Sequence, residues 1–377
     1  SIGANITTSS TQTYTGAVTL TTSPTLTTTS SAITFLSTVN SSGSARDLTF
    51  GAGSGNSTFT GAVGTTLALG TITNIAGQTV TFSDAVTATT IVNYGTLLFN
   101  ATSAKTISPA ITDNGTTTVQ VISNNDSNIS LITFSGNVAA DTITVGTTTK
   151  AGSASFSGTV TGTNINIVGG DAASSAENSQ ATFADTVTVT AITLDNNTST
   201  ASVTFSGTAK TITGTINGLA TTEGTVTVSG TGKTFASIIG GTNRPSQLTI
   251  NGATTFQAAV STVALTTTAA ISNGTSLDVS GASSIGANVT TSGNQTYSGA
   301  VTLTASPTLT APSGTILFSS TVDGANTLTI TNSGGANTGD VTFTGAVGGT
   351  TPLTGITITT DVLTAAAIKS TGTLSVT

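Results

Sequence analysis

The chain has 377 residues, of which 94 are Thr and 43 Gly, with 7 Lys and Arg against 14 Asp and Glu and no Cys, His, Met or Trp. That composition excludes a disulfide scaffold, a thiolate- or imidazole-held metal, and Cys-His or Ser-His catalysis, and the acidic balance argues against a basic nucleic-acid surface. Charged residues are 6% of the chain where a soluble domain ordinarily carries about 25%, yet β-branched residues abound, which sets it apart from disordered sequences and points to strands.

Taken in chain order, one short unit recurs: Thr, an aromatic, a small or turn-forming residue two places on, then Val or Ile four places on. It reads TYTGAV at Tyr14, TFLSTV at Phe35, TFTGAV at Phe59 and TFSDAV at Phe82. It returns at Phe134, Phe156, Phe183, Phe205, Phe235, Phe256, Tyr297, Phe318 and Phe343, so thirteen of the sixteen aromatics sit in it. Degenerate copies at Ile107 and Val279 fill the two long gaps, and the spacing then runs from 18 to 30 residues with a mean of about 23.5.

Alternate side chains of a strand share a face. The aromatic and the residue two before it (Ile33, Val80, Ile132, Val203, Ile316, Val341) therefore point inward and the Thr between them outward. Gly16, Gly61, Gly136, Gly158, Gly207, Gly299 and Gly345 mark a corner that favours a residue without Cβ, and Asp84 and Asp185 take the same place. One strand-corner-strand unit cannot bury its own inner face. Stacking the units about 4.8 Å apart, aromatic over aromatic, closes a continuous core. The expected fold is all-β: a parallel β-solenoid with three short strands per coil, about 16 coils of about 23 residues, running as one continuous rod over residues 1–377. A string of Ig-like sandwiches would need a period near 95 residues, which the motif does not show.

A longer repeat overlies the short one. SIGANITTSSTQTYTGAVTLTTSPTLT at Ser1 returns as SIGANVTTSGNQTYSGAVTLTASPTLT at Ser284, so residues 284–377 repeat residues 1–93 with one-residue slips. The chain reads as a slice of a longer array or as a subunit whose two ends present similar coils, opening at Ser1 without a signal pattern. No run approaches the roughly eighteen apolar residues of a transmembrane helix.

Phrases such as TTSGNQTYSGAVTLTASPTLTAPSGTILFSSTVDGANTLTI and VTFTGAVGGTTPLTGITITT resemble the repeats of filamentous-haemagglutinin-like and autotransporter-type bacterial surface adhesins. The resemblance is strongest over residues 1–93 and 284–377. It implies a right-handed β-helix on the outside of a bacterial cell and carries no functional residue over.

The acids are scattered beside turn residues, which argues against the paired carboxylates of a glycan-active β-helix enzyme. Asp323 and Asp340, one coil apart, are the candidate ligands of a structural Ca²⁺; no other cofactor is expected. GAGSGNS at Gly51 lacks the Lys and helix of a phosphate loop and reads as a surface turn. The N-x-S/T triplets at Asn56, Asn100, Asn114, Asn273 and Asn288 follow from composition. T-x-T pairs near Thr25, Thr186 and Thr357 put hydroxyls on an outward face of the kind ice-binding solenoids present, but coils of unequal length are expected to break any lattice match.

The expected function is structural and adhesive: a non-enzymatic, extracellular stalk or filament segment at a bacterial surface. Its expected partners are copies of itself or further repeats end to end, and a host or neighbouring cell surface or glycan. A surface-layer lattice protein is the main alternative.

Overall fold

The computed structural model describes residues 1–123, 129–171, 178–332 and 339–377. It is all-β, a β-solenoid of about 16 turns spaced by about 22 residues, and among the described residues there is no helix. The strands show the expected alternation: in Ile33–Phe35, Ser57–Phe59 and Ile316–Phe318 the outer two residues are buried and the middle one is half-buried. The chain divides into two compact units, Ser1–Ser202 and Val203–Thr377.

In the first unit each coil contributes to three parallel ladders. One runs through Ile72, Ile91, Ile111, Val138, Val160 and Val187. A second carries Tyr14, Phe35, Phe59, Phe82 and Phe99, followed by Val121, Val145, Ile167 and Leu194. The third holds Val18, Val39, Val63, Val86 and Ile107, then Phe134, Phe156 and Phe183. The rings stack within each run: Phe35 on Phe59 at 4.7 Å and 5°, Phe134 on Phe156 at 4.9 Å and 4°. Such pairs contribute about 0.5–1.5 kcal/mol each beyond their burial.

The aromatic column thus differs from the single row that the motif predicts. Phe82 stands in register with Phe99, an aromatic outside the motif, at a ring distance of 5.5 Å. Ile107 lies one side further round, above Val86. Phe134 then stacks above Ile107, and Phe99 meets it edge-on at 5.0 Å and 88°. The cause is in the unit itself. Its aromatic and its Val four places later both point inward on adjacent sides, so a following motif can sit above either.

The second unit repeats the pattern. Ile212, Phe235 and Phe256 share a side with Asn273 and Thr291, and Phe205 meets Phe235 edge-on at 5.1 Å and 85°. Above Val260 the next side carries Leu277, Gln295, Ile316 and Val341, with Val279, Tyr297, Phe318 and Phe343 two residues on. The remaining side runs Val226, Leu248, Leu265, Ser283, Val301, Val322 and Val347. Every motif aromatic is buried except Tyr14, which is half-buried.

The corner glycines have a reason other than a left-handed backbone. A Cβ on Gly61 would come within 2.6 Å of the Ser37 backbone, and one on Gly345 within 2.4 Å of Ser320. At these two corners successive coils touch, and a Cβ has no room. At Gly16 a Cβ would meet nothing within 4 Å.

Coil length varies while most ladders keep register; between Val341–Val347 and Leu363–Ile368 the register shifts between Phe343 and Ala346. Phe256 is in register with Asn273 across a short coil, and Ile330 with Ile358 across a long one.

Candidate functional site

The two sequence-predicted calcium ligands face different tasks. Asp323 Oδ1 accepts the backbone N–H groups of Thr350 and Thr351 at 2.8 and 2.9 Å, holding the connection of the coil above. Asp340 is half-buried; its carbonyl accepts from Ile316 N at 2.9 Å and from Asn332 Nδ2 at 3.1 Å, while its buried Oδ1 has no hydrogen-bond partner among the described residues. Among the described residues no group of three or more His, Cys, Asp or Glu comes together. Asp47 likewise accepts Thr71 N at 2.6 Å, and Asp84 pairs with Lys105 at 2.7 Å. A half-buried surface pair of this kind contributes about 0–1 kcal/mol.

The Gly51 turn is occupied by its own backbone. Ser30 N donates to Gly53 O at 2.7 Å and Gly55 N to Ser31 O at 2.9 Å, so these groups bind the preceding coil rather than a phosphate. The triplet at Asn273 is closed to modification, because that side chain is 5% exposed and donates to Ser276 O at 2.8 Å.

Two sets of residues do work that the sequence reading missed. Corner asparagines at strand entries accept a backbone N–H from the next coil: Asn5 from Thr25, Asn56 from Thr79, Asn137 from Thr159, Asn288 from Thr308 and Asn294 from Thr315, at 2.8–3.0 Å. Each adds a rung where the strand hydrogen bonds begin. Their recurrence before strand Thr was visible in the sequence as N-x-S/T and near-miss triplets, where composition hid it.

The second set is inside. At the inward place two before the aromatic stand not only Ile and Val but Gln12, Lys233 and Gln295, all buried. Gln295 Nε2 donates to Val289 O at 3.1 Å and Thr310 O at 2.8 Å, and its Oε1 accepts the Tyr297 hydroxyl at 3.0 Å. Gln12 and Tyr14 make the equivalent bonds in the first copy. Lys233 Nζ donates to the Gly207 carbonyl. Burial pushes the Tyr297 phenol well above its ordinary value and raises Tyr14 in the same direction.

No family model, curated protein or solved structure matches the chain. Outward Thr recurs along both units. In the second unit Thr211, Thr234, Thr255, Ser272, Thr290, Thr310, Thr331 and Thr359 follow one another in register, a hydroxyl in every coil. In the first unit a shorter row on another strand, Thr13, Thr34, Thr58 and Thr81, is followed by Leu98 and Gln120.

Proposed function

We infer that the chain is a structural and adhesive segment of a repetitive bacterial surface protein, extracellular and non-enzymatic. The observation that carries this reading is the register of the ladders, kept through coils as short as that from Phe256 to Asn273 and as long as that from Ile330 to Ile358. In each unit, backbone hydrogen bonds, stacked inner side chains and corner asparagines all connect one coil to the next, so the coils resist separation together. The resemblance to filamentous-haemagglutinin-like and autotransporter-type repeats supports the same reading. Seven Lys and Arg, of which Lys233 is buried, leave few sites for trypsin-like proteases, and the chain has no Met or Cys to oxidise. Further repeats or copies of the chain end to end are the proposed partners, with a neighbouring surface or glycan as the adhesive target.

Antibodies raised against the chain test this on whole cells of the organism that makes it. Immunogold label along thin filaments outside the cell is the expected result. Label confined to the cell interior overturns the proposal, and label over a flat periodic layer replaces it with a surface-layer lattice.

A further inference from the structure

The outward row of the second unit becomes two columns wide in its later coils. Thr308 and Thr310 flank buried Leu309, Thr329 and Thr331 flank buried Ile330, and Thr357 and Thr359 flank buried Ile358. Thr308 is in register with Thr329, Thr357 and Ser375, and Thr310 with Thr331 and Thr359. Thr359 Oγ1 lies 3.1 Å from Thr377 Oγ1, continuing the second column. None of these residues is charged.

The dimensions of this face follow from β geometry. Residues two apart in a strand are about 6.7 Å apart, and neighbouring strands about 4.8 Å. The oxygen lattice of ice repeats on its prism faces at spacings close to these two. Thr is stiff at χ1 and carries a methyl and a hydroxyl on the same Cβ, so such a face holds its groups in place before it meets a solid and loses little freedom on contact. Unequal coil lengths argue against a lattice match only where they shift the register. They do not shift it here, because Thr331 and Thr359 are separated by a long coil and still pair.

The long repeat supplies an internal control. SPTLT at residues 306–310 corresponds to SPTLT at residues 23–27. In the first copy Thr25, Thr49 and Thr73 form one column, but Gly51 and Ile75 stand beside them where the second copy has Thr331 and Thr359. Only the later face is Thr in both columns.

We propose that the face formed by Thr308, Thr310, Thr329, Thr331, Thr357 and Thr359 binds the ordered water lattice of an ice surface. The test is partition of the purified full chain into slowly growing ice. Enrichment over a size-matched inert protein is expected. Thr329→Tyr with Thr331→Tyr should bring partition down to the inert level at unchanged circular dichroism, while Thr49→Tyr on the single-column face leaves it as it was. Should the paired change unsettle the strand, the single exposed change Thr357→Lys gives the same readout. Exclusion of the wild-type chain from ice overturns the proposal. So does unchanged partition in a folded Thr329/Thr331 variant, an equal loss from Thr49→Tyr, or retention on crystalline cellulose or chitin without partition into ice.

Discussion

Replacing Phe318 by Ala removes a ring that is 1% exposed and sandwiched between Tyr297 (5.1 Å, 11°) and Phe343 (4.8 Å, 4°). A buried Phe→Ala change costs about 3–5 kcal/mol, and within that the two ring faces account for roughly 1–3 kcal/mol at about 0.5–1.5 each. Because each coil contacts mainly its neighbours, the loss should fall on the coils of Tyr297, Phe318 and Phe343 rather than across the chain. A loss of about 4 kcal/mol corresponds to roughly a thousandfold faster amide exchange through local opening. Hydrogen exchange read by mass spectrometry on peptides covering these coils is the assay. Phe318→Leu, which keeps most of the burial but neither ring face, should fall between the variant and the wild type. If Phe318→Ala changes exchange no more than the outward Thr342→Ala, or changes it evenly out to the coils of Phe235 and Phe256, the stacked column is not what holds this region together.

Three further outcomes follow from the interior. Gln295→Leu strands the Tyr297 hydroxyl and the Val289 and Thr310 carbonyls, at roughly 1–3 kcal/mol for each group left unpaired; the denaturation midpoint should fall further than for Gln12→Leu, where Tyr14 is only half-buried. The Tyr297 phenol is held neutral in the folded chain above its ordinary pKa near 10. Its contribution is therefore complete below about pH 10, where the unfolded chain begins to ionise, and is lost as pH rises beyond that. Alkaline melting curves should show this fall in the wild type and a smaller one in Tyr297→Phe. Gly345→Ala should lower the midpoint because its Cβ would stand 2.4 Å from the Ser320 backbone, whereas Gly16→Ala, with open space around it, should not; equal effects would mean that corner contact is not what selects glycine.

Strands, parallel stacking and the inward place of each aromatic were legible, because alternation fixes which side chains share a face and the recurrence of the motif fixes how often. The degenerate copies at Ile107 and Val279 were legible too, and each lies directly in register with the next aromatic, Phe134 and Tyr297. Which of the three sides an aromatic occupies was not. A strand-corner-strand motif has the same local pattern on any side, and only the pairing of Phe82 with Phe99 reveals a complete coil between them. The corner asparagines were lost for a different reason: a polar residue at a turn is expected whether or not it reaches the coil beside it. Gln295 and Lys233 break the apolar pattern of the inner face, and nothing short of their partners explains why they can stand there. The outward Thr columns could be counted from the sequence, but their register through unequal coils could not.

The independence of strand register from coil length bears on how such a chain changes over generations. The offset between the two long copies is the same at Tyr14 with Tyr297 and at Phe35 with Phe318, but it has grown by a single position at Phe59 with Phe343. Between the second aromatic and the third it falls to 280 at Thr49 with Thr329, so the copies differ by three residues before that strand and by four after it, nearly cancelling. The rings on either side of these changes stack at 4.7 Å in the first copy and 4.8 Å in the second. An insertion that would shift every side chain to the wrong face inside a strand is absorbed at a connection. Length variation can therefore accumulate in the connections while the ladders keep their identity, and a lineage can remodel what this protein shows to its surroundings without rebuilding what holds it up.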